Sequence, residues 1–247
     1  MFPYISVTLP SFTVFGFAGG IITLFFIYIR MYKNGYGFRR FLLLAVLGFI
    51  GAAVGAKLLF MISRLPWLFS DFSFPRLLRL IFQGGIVFYG GLFGVLIGAK
   101  VFALISKTDA SSVYRIIVPA IPLFHGFGRI GCFLAGCCHG MALQNPVIIG
   151  PFHFTRIPVQ LFESVFCFLL FPVLLVIEKK RSHCNTLRLY LISYAIFRLI
   201  LEFFRGDSIR GVYLLSTSQW ISLAIIAYFI IKWSVGNFRR KKGVKQL

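Results

Sequence analysis

Apolar runs of membrane-spanning length alternate along this chain with short polar connections rich in lysine and arginine. The runs occupy residues 12–29, 41–62, 84–105, 113–134, 158–177, 187–204 and 213–233. A bilayer hydrocarbon core about 30 Å thick takes about 20 helical residues to cross. The pattern therefore predicts an all-α integral membrane protein with about seven transmembrane helices. The fourth and sixth runs stand apart because they carry Arg129 and Arg198. No basic region precedes the first run and no small-residue cleavage motif follows it, so it reads as a retained helix. With no linker, low-complexity tract or long repeat, the whole of 1–247 reads as a single transmembrane domain. Two connections, 63–83 and 139–157, are longer and rich in Pro, Phe and Gly. They are expected to be outer-surface segments, lying along the membrane or dipping in where protein covers their backbone.

Composition supports the membrane reading. Mean hydropathy is +0.89 and 59% of residues are hydrophobic, against 13% charged, too few to cover a soluble surface. The net charge of +20 would suggest nucleic acid in a soluble protein. Here the basic residues fall between apolar runs, where they orient helices and meet anionic lipid, so no nucleic-acid partner is expected. Segments 30–40, 106–115, 178–188 and 232–247 together hold 16 Lys and Arg, whereas 63–79, 139–157 and 205–212 hold 6. That bias predicts an N-terminus outside and a C-terminus in the cytoplasm, which an odd number of spans satisfies.

Ionisable groups inside spans are costly, so they are paired or functional. Arg198, Glu202 and Arg205 recur at helical spacing in IFRLILEFFRGD and share one face. They form either a structural ion pair with Arg205 reaching the surface, or a site where guanidinium groups hold a phosphate while Glu202 orients them. Arg129 lies in HGFGRIGCFLAGCCHG, the most polar and glycine-rich stretch, beside Gly128 and Cys132. It would supply a second cation at the same level. His125 and His139 flank it and are candidate general bases, although His125 serves equally as an interhelical residue. Gln160 and Glu163, in PVQLFES after Pro158, are placed to start a helix and to orient the arginines. Tyr89 in GGIVFYGGLFG is the one reactive hydroxyl of its segment and a candidate catalytic group, suited to a pocket or to an interfacial belt.

The five cysteines show no secreted disulfide framework. The spacing of Cys132, Cys137, Cys138 and His139 is not a standard zinc pattern, and consecutive ligands strain a tetrahedral shell. No metal and no cofactor are expected, and the cysteines read as small packing residues.

Taken together, the motifs resemble the prolipoprotein diacylglyceryl transferase family of bacterial inner-membrane enzymes. GRIGCFLAGCCHG (128–140) is similar to that family's Gly-Arg-x-Gly-Asn-Phe stretch. GGIVFYGGLFG (84–94) is similar to its Gly-rich segment, PVQLFES (158–164) to its Pro-x-Gln-Leu-Tyr-Glu motif, FRLILEFFRGD (197–207) to its Arg-x-x-x-Glu-x-x-Arg helix, and STSQWISL (216–223) to its Gly-Gln-x-x-Ser segment. Their order holds across most of the chain. The resemblance implies a multi-pass enzyme of the bacterial inner membrane with its site toward the extracytoplasmic face. Such an enzyme moves the diacylglyceryl group of phosphatidylglycerol onto the lipobox cysteine of a prolipoprotein signal peptide. It forms a thioether and releases glycerol phosphate. Arg129 and Arg198 would then hold the phosphate, while Glu202, Arg205, Gln160, Glu163, Gln219, Cys132 and Gly128 would shape the pocket among membrane lipids.

The chain also departs from the family pattern. Tyr89 stands where the family has His, Phe15 where it has Tyr, Cys132 where it has Asn, and Cys137 where it has an acid. The base is thus absent from its usual place, leaving His125 and His139 as candidates. Two further readings remain open: a divergent paralogue with the same lipid donor and another acceptor, and a non-catalytic lipid-binding or transport protein.

Overall fold

A computed structural model describes residues 4–6, 9–83, 85, 87–149, 152–180, 185–206, 211, 212 and 215–244. The long apolar runs become helices: α1 (Ser11–Lys33), α2 (Phe38–Ser63), α5 (Phe88–Ile105), the pair α6 (Ala110–Ile117) and α7 (Ala120–Leu134), α8 (Val159–Lys180), α9 (Thr186–Glu202) and α10 (Thr217–Val244). Between α2 and α5 lie α3 (Leu65–Phe69) and α4 (Phe74–Gln83).

Six of these segments are long and apolar enough to cross a membrane: 11–33, 38–63, 88–105, 110–134, 159–180 and 217–235. Seven crossings are expected, whereas α9 has only 17 residues. That is about 26 Å of rise, short of a full hydrocarbon core. The fourth run breaks in two because Pro119 has no N–H to continue α6; it becomes the N-cap of α7. Asp109 caps α6, its carboxylate accepting from Ser112 N at 2.9 Å. The backbone N–H groups of Ser112 and then Ser111 hold that carboxyl below its usual range.

The described residues are mostly helical rather than strictly all-α, because they include three two-stranded antiparallel sheets: β1 (Tyr4–Ser6) with β2 (Leu9–Pro10) ahead of α1, β3 (Ala142–Ile149) with β4 (Phe152–Arg156) between α7 and α8, and β5 (Gly211–Val212) with β6 (Leu215–Ser216) between α9 and α10. The middle one occupies the candidate outer segment 139–157, and its β-branched and aromatic residues favour strands. Its register pairs Ala142 with Arg156 and Val147 with Phe154, with an irregularity between. The other outer segment, 63–83, holds α3 and α4.

Helices α2 and α5 approach until backbones touch. A β-carbon on Gly94 would collide with the Gly51 carbonyl, and one on Gly90 with that of Gly55. Small residues at such seams replace the hydrophobic driving force that lipid does not supply. At one end of the bundle, Arg30 of α1 donates to both carboxylate oxygens of Glu178 on α8, at 2.6 and 2.8 Å. Large apolar side chains such as Phe17, Phe25, Phe49 and Leu169 face outward, as a lipid-exposed surface requires. Inside, Tyr89, Phe102, Tyr190 and Tyr194 form the largest buried side chains of the core.

Candidate functional site

Polar groups converge where α7, α8 and α9 meet. At its start α8 presents Gln160, Glu163, Ser164 and Cys167 on one face, all buried. Ser164 Oγ donates to the Gly126 carbonyl at 3.0 Å, which locks α8 to α7. Glu163 is fully buried and accepts from two other helices. Arg129 of α7 reaches its Oε1 through Nη2 at 3.1 Å and its Oε2 through Nε at 3.0 Å. Arg198 of α9 reaches the same Oε2 through Nη1 at 2.9 Å. Tyr194 OH donates to Oε1 at 2.7 Å.

Helical spacing builds the α9 contribution. Tyr194, Arg198 and Glu202 recur every fourth residue, so one face presents them in a row. Arg198 bridges two carboxylates, with Nη2 at 2.7 Å from Glu202 Oε2. Arg205 follows immediately, buried, and its backbone bridges to Gly140. Two guanidinium groups on one buried carboxylate are held rigidly, because each has few alternative partners in a water-poor interior.

The strand of chain at 139–141 is sewn across this site. Gly140 N donates to Ile157 O at 2.9 Å and Met141 N to Phe204 O at 2.9 Å. A β-carbon on Gly140 would lie 2.6 Å from the Ile157 carbonyl and 2.7 Å from that of Phe204, so only glycine fits.

Just before it, α7 ends in a Schellman turn. Gly136 adopts a φ of +72°; Cys137 N donates to Cys132 O and Gly136 N to Phe133 O, both at 3.1 Å. The turn folds Cys137 back over Cys132. Cys138 then takes a φ of +59°, a region that costs a residue with a β-carbon about 1–2 kcal/mol. The Sγ atoms of Cys132, Cys137 and Cys138 all lie within 4.8 Å of one another. The neighbouring Cys132 and Cys137 thiols, helped by the charges of Arg129 and Arg205, pull Cys138 below the ordinary thiol range against the effect of burial. Gln160 Nε2 pins the loop with a 2.6 Å bond to the Cys137 carbonyl. The expectation of plain small-residue packing did not anticipate this convergence.

The remaining predicted residues sort by geometry. His125 Nε2 accepts from Arg129 Nε at 3.2 Å. Arginine can only donate, so the imidazole carries its proton on Nδ1, 3.5 Å from Cys167 Sγ. The 3.4 Å approach of Nε2 to Glu163 is then proximity rather than an ion pair. Phe88 stacks on the ring at 3.9 Å. Tyr89 is buried, with its hydroxyl 2.7 Å from Ser222 Oγ on α10. His139 sits at the rim, its Nδ1 3.3 Å from Arg156 Nη1. Gln219 forms a capping box with Ser216 at the start of α10: its Oε1 accepts from Ser216 N at 2.9 Å, and Ser216 Oγ accepts from Gln219 N at 3.1 Å. A β-carbon on Gly128 would meet open space. Sequence reasoning missed Tyr194, whose place one turn before Arg198 on the same face was a usable signal. It also gave no role to Ser164 and Ser222, although they lie within the motifs PVQLFES and STSQWISL.

Beside the arginine cluster, Phe162, Phe197, Ile200, Leu201 and Phe204 line an apolar groove of ≈ 240 Å³ between α8 and α9.

A family model described as prolipoprotein diacylglyceryl transferase matches residues 2–235. The phosphatidylglycerol–prolipoprotein diacylglyceryl transferase of Clostridium tetani is 35% identical over 220 residues, covering 86% of this chain and 87% of that protein. The phosphatidylglycerol–prolipoprotein diacylglyceryl transferase 2 of Clostridium perfringens is 32% identical over 218 residues, covering 85% and 84%. That of Idiomarina loihiensis is 33% identical over 198 residues, covering 74% and 71%.

Proposed function

The chain belongs to the prolipoprotein diacylglyceryl transferase family, and from that premise we propose that it moves the diacylglyceryl group of phosphatidylglycerol to the thiol of a lipobox cysteine. The observation that carries this reading is the meeting of Arg129 and Arg198, from separate helices, on one oxygen of the buried Glu163.

Charge balance supports an anionic substrate. Arg129, Arg198 and Arg205 against Glu163 and Glu202 leave a net charge of +1 in this cluster. A phosphodiester brings one negative charge and neutralises it. The bonds described for Arg129 use Nε and Nη2, so the hydrogens of Nη1 are available to a phosphate oxygen. In the reaction the acceptor sulfur attacks the glyceryl carbon, the carbon–oxygen bond breaks, and its electrons pass to the phosphate. Preorganised guanidinium groups stabilise that charge most where water is scarce. The apolar groove between α8 and α9 suits an acyl chain of the donor.

This reading places the protein in a bacterial inner membrane, with α9 as a seventh, short crossing. The N-terminus lies outside, the C-terminus in the cytoplasm, and the arginine site toward the extracytoplasmic face. The excess of Lys and Arg in alternate connections supports it.

Purified protein incubated with labelled phosphatidylglycerol and a lipobox peptide tests the proposal. Mass spectrometry should find a diacylglyceryl mass on the peptide cysteine. An unmodified peptide with the lipid intact would reject the transferase reading, whereas an unmodified peptide with the lipid consumed would replace the acceptor.

A further inference from the structure

The thiol chemistry of the proposed reaction requires something to remove the proton from the acceptor cysteine, and the nearby candidates are committed elsewhere. His125 Nε2 is engaged by Arg129, Tyr89 OH by Ser222 and His139 Nδ1 by Arg156. What the site holds instead is three sulfurs. Cys132 is buried, Cys138 half-buried and Cys137 exposed, so the cluster is anchored on one side and open on the other. Cys132 lies three residues beyond Arg129, on the same face of α7.

Thiolates bound to one zinc ion at about 2.3 Å stand about 3.8 Å apart. The observed spread, within 4.8 Å, closes with shifts of about 1 Å or less. Adjacent cysteines ordinarily diverge, which argues against a joint shell. Here the Schellman turn at Gly136 and the left-handed backbone of Cys138 aim them together, and Gln160 clamps the loop between them and α8. Three protein ligands leave one tetrahedral position free, the pattern of catalytic rather than structural zinc. Three thiolates and one Zn²⁺ carry a net charge of −1, and the positive charges of Arg129 and Arg205 act on Cys138.

We propose that Cys132, Cys137 and Cys138 hold a zinc ion whose open fourth position takes the thiol of the acceptor cysteine. The inference rests on the transferase reading above. A thiol that coordinates zinc loses its proton, here to water, and remains bound as thiolate. Its sulfur lone pair forms the new carbon–sulfur bond as the glyceryl carbon–oxygen bond breaks, and the electron pair of that bond leaves on the phosphate at Arg129 and Arg198. The neutral thioether is a weaker ligand and departs. No oxidant or reductant takes part.

The test uses the reduced, full-length protein in phosphatidylcholine nanodiscs, loaded with zinc or with cobalt(II) as a spectroscopic substitute. One metal per chain is expected. A lipobox peptide should add a further sulfur-to-cobalt charge-transfer signal, and its Cys-to-Ser counterpart should add none. Cys132→Ser, Cys137→Ser and Cys138→Ser should each weaken binding by more than about 100-fold, beyond the cost of losing an outer partner. With phosphatidylglycerol supplied, chelation should slow transfer at least about 100-fold, the low end of what a positioned base provides, and zinc should restore it. This wild-type arm holds even where a variant fails to fold. Substoichiometric metal, a spectrum blind to the peptide thiol, or transfer indifferent to chelation would each overturn the metal proposal and leave the transferase reading standing. A filled, thiol-binding site with no transfer would overturn the transferase reading instead.

Discussion

Replacing Glu163 with glutamine alters one atom at the point where two arginines meet. Arg129 Nε and Arg198 Nη1 meet Oε2, the first as an ion-pair contact and the second as a hydrogen bond, while Arg129 Nη2 and Tyr194 OH donate to Oε1. An amide can be oriented in two ways. With its nitrogen at the Oε2 position, a donor faces two guanidinium donors and both contacts fail. With its nitrogen at the Oε1 position, the carbonyl keeps the first pair and Tyr194 can rotate its hydroxyl to accept, so only the Arg129 Nη2 bond is lost. The second orientation is favoured. Even so the negative charge is gone, and two buried cations remain with only Glu202 nearby. Removing one partner of a buried ion pair costs about 3–5 kcal/mol, and the recovered bonds put Glu163→Gln near the lower end, about 3 kcal/mol. Thermal unfolding followed by gel filtration in detergent, read beside peptide lipidation by mass spectrometry, checks the effect. The midpoint should fall and transfer should drop below detection. Adding Arg198→Gln should cost less than the two changes separately, because it relieves the uncompensated charge. A Glu163→Gln protein with an unshifted midpoint and full activity would refute the idea that this carboxylate organises the site.

Arg129→Ala and Arg198→Ala are each expected to lower transfer by about 10²–10³-fold or more while the protein still accumulates in the membrane fraction; undiminished lipidation would count against their phosphate role. Arg198→Lys should behave nearly as badly, because an ammonium group cannot span Glu163 and Glu202 as the planar guanidinium does, and kinetics with labelled lipid will show it. Tyr89→Phe strands a fully buried Ser222 hydroxyl, so the unfolding midpoint should fall by the equivalent of about 1–3 kcal/mol. Transfer should stay within about tenfold of wild type, and a loss of about 10²-fold or more would make Tyr89 a proton-transfer group. Gly94→Val should force α2 and α5 apart at the Gly51 carbonyl, at the top of the about 1–3 kcal/mol range for overpacking or beyond; unchanged yield and melting behaviour would show that the seam adjusts.

The membrane class and the places of its helices could be read directly from the chain, because in lipid every backbone group must bond within its own segment. Uninterrupted apolar runs of that length have few other outcomes. The same logic marked Arg129, Arg198, Glu202 and Glu163, since a charge in an apolar run has to be met by something. Their spacing also placed Arg198 and Glu202 on one helix face. Only the tertiary structure decided that Glu163 is the meeting point of α7, α8 and α9, because the bonds that make it so join residues 34 and 35 positions apart and no local pattern encodes them. It also settled that Gln219 caps a helix, although the Ser216-to-Gln219 spacing could have revealed that. The cysteine cluster lies between these cases. The Gly136 stop signal was visible, but the direction taken by Cys137 and Cys138 depends on two left-handed residues and a glutamine from another helix. Backbone turns of that kind set where side chains point, and hydrophobic periodicity carries no information about them.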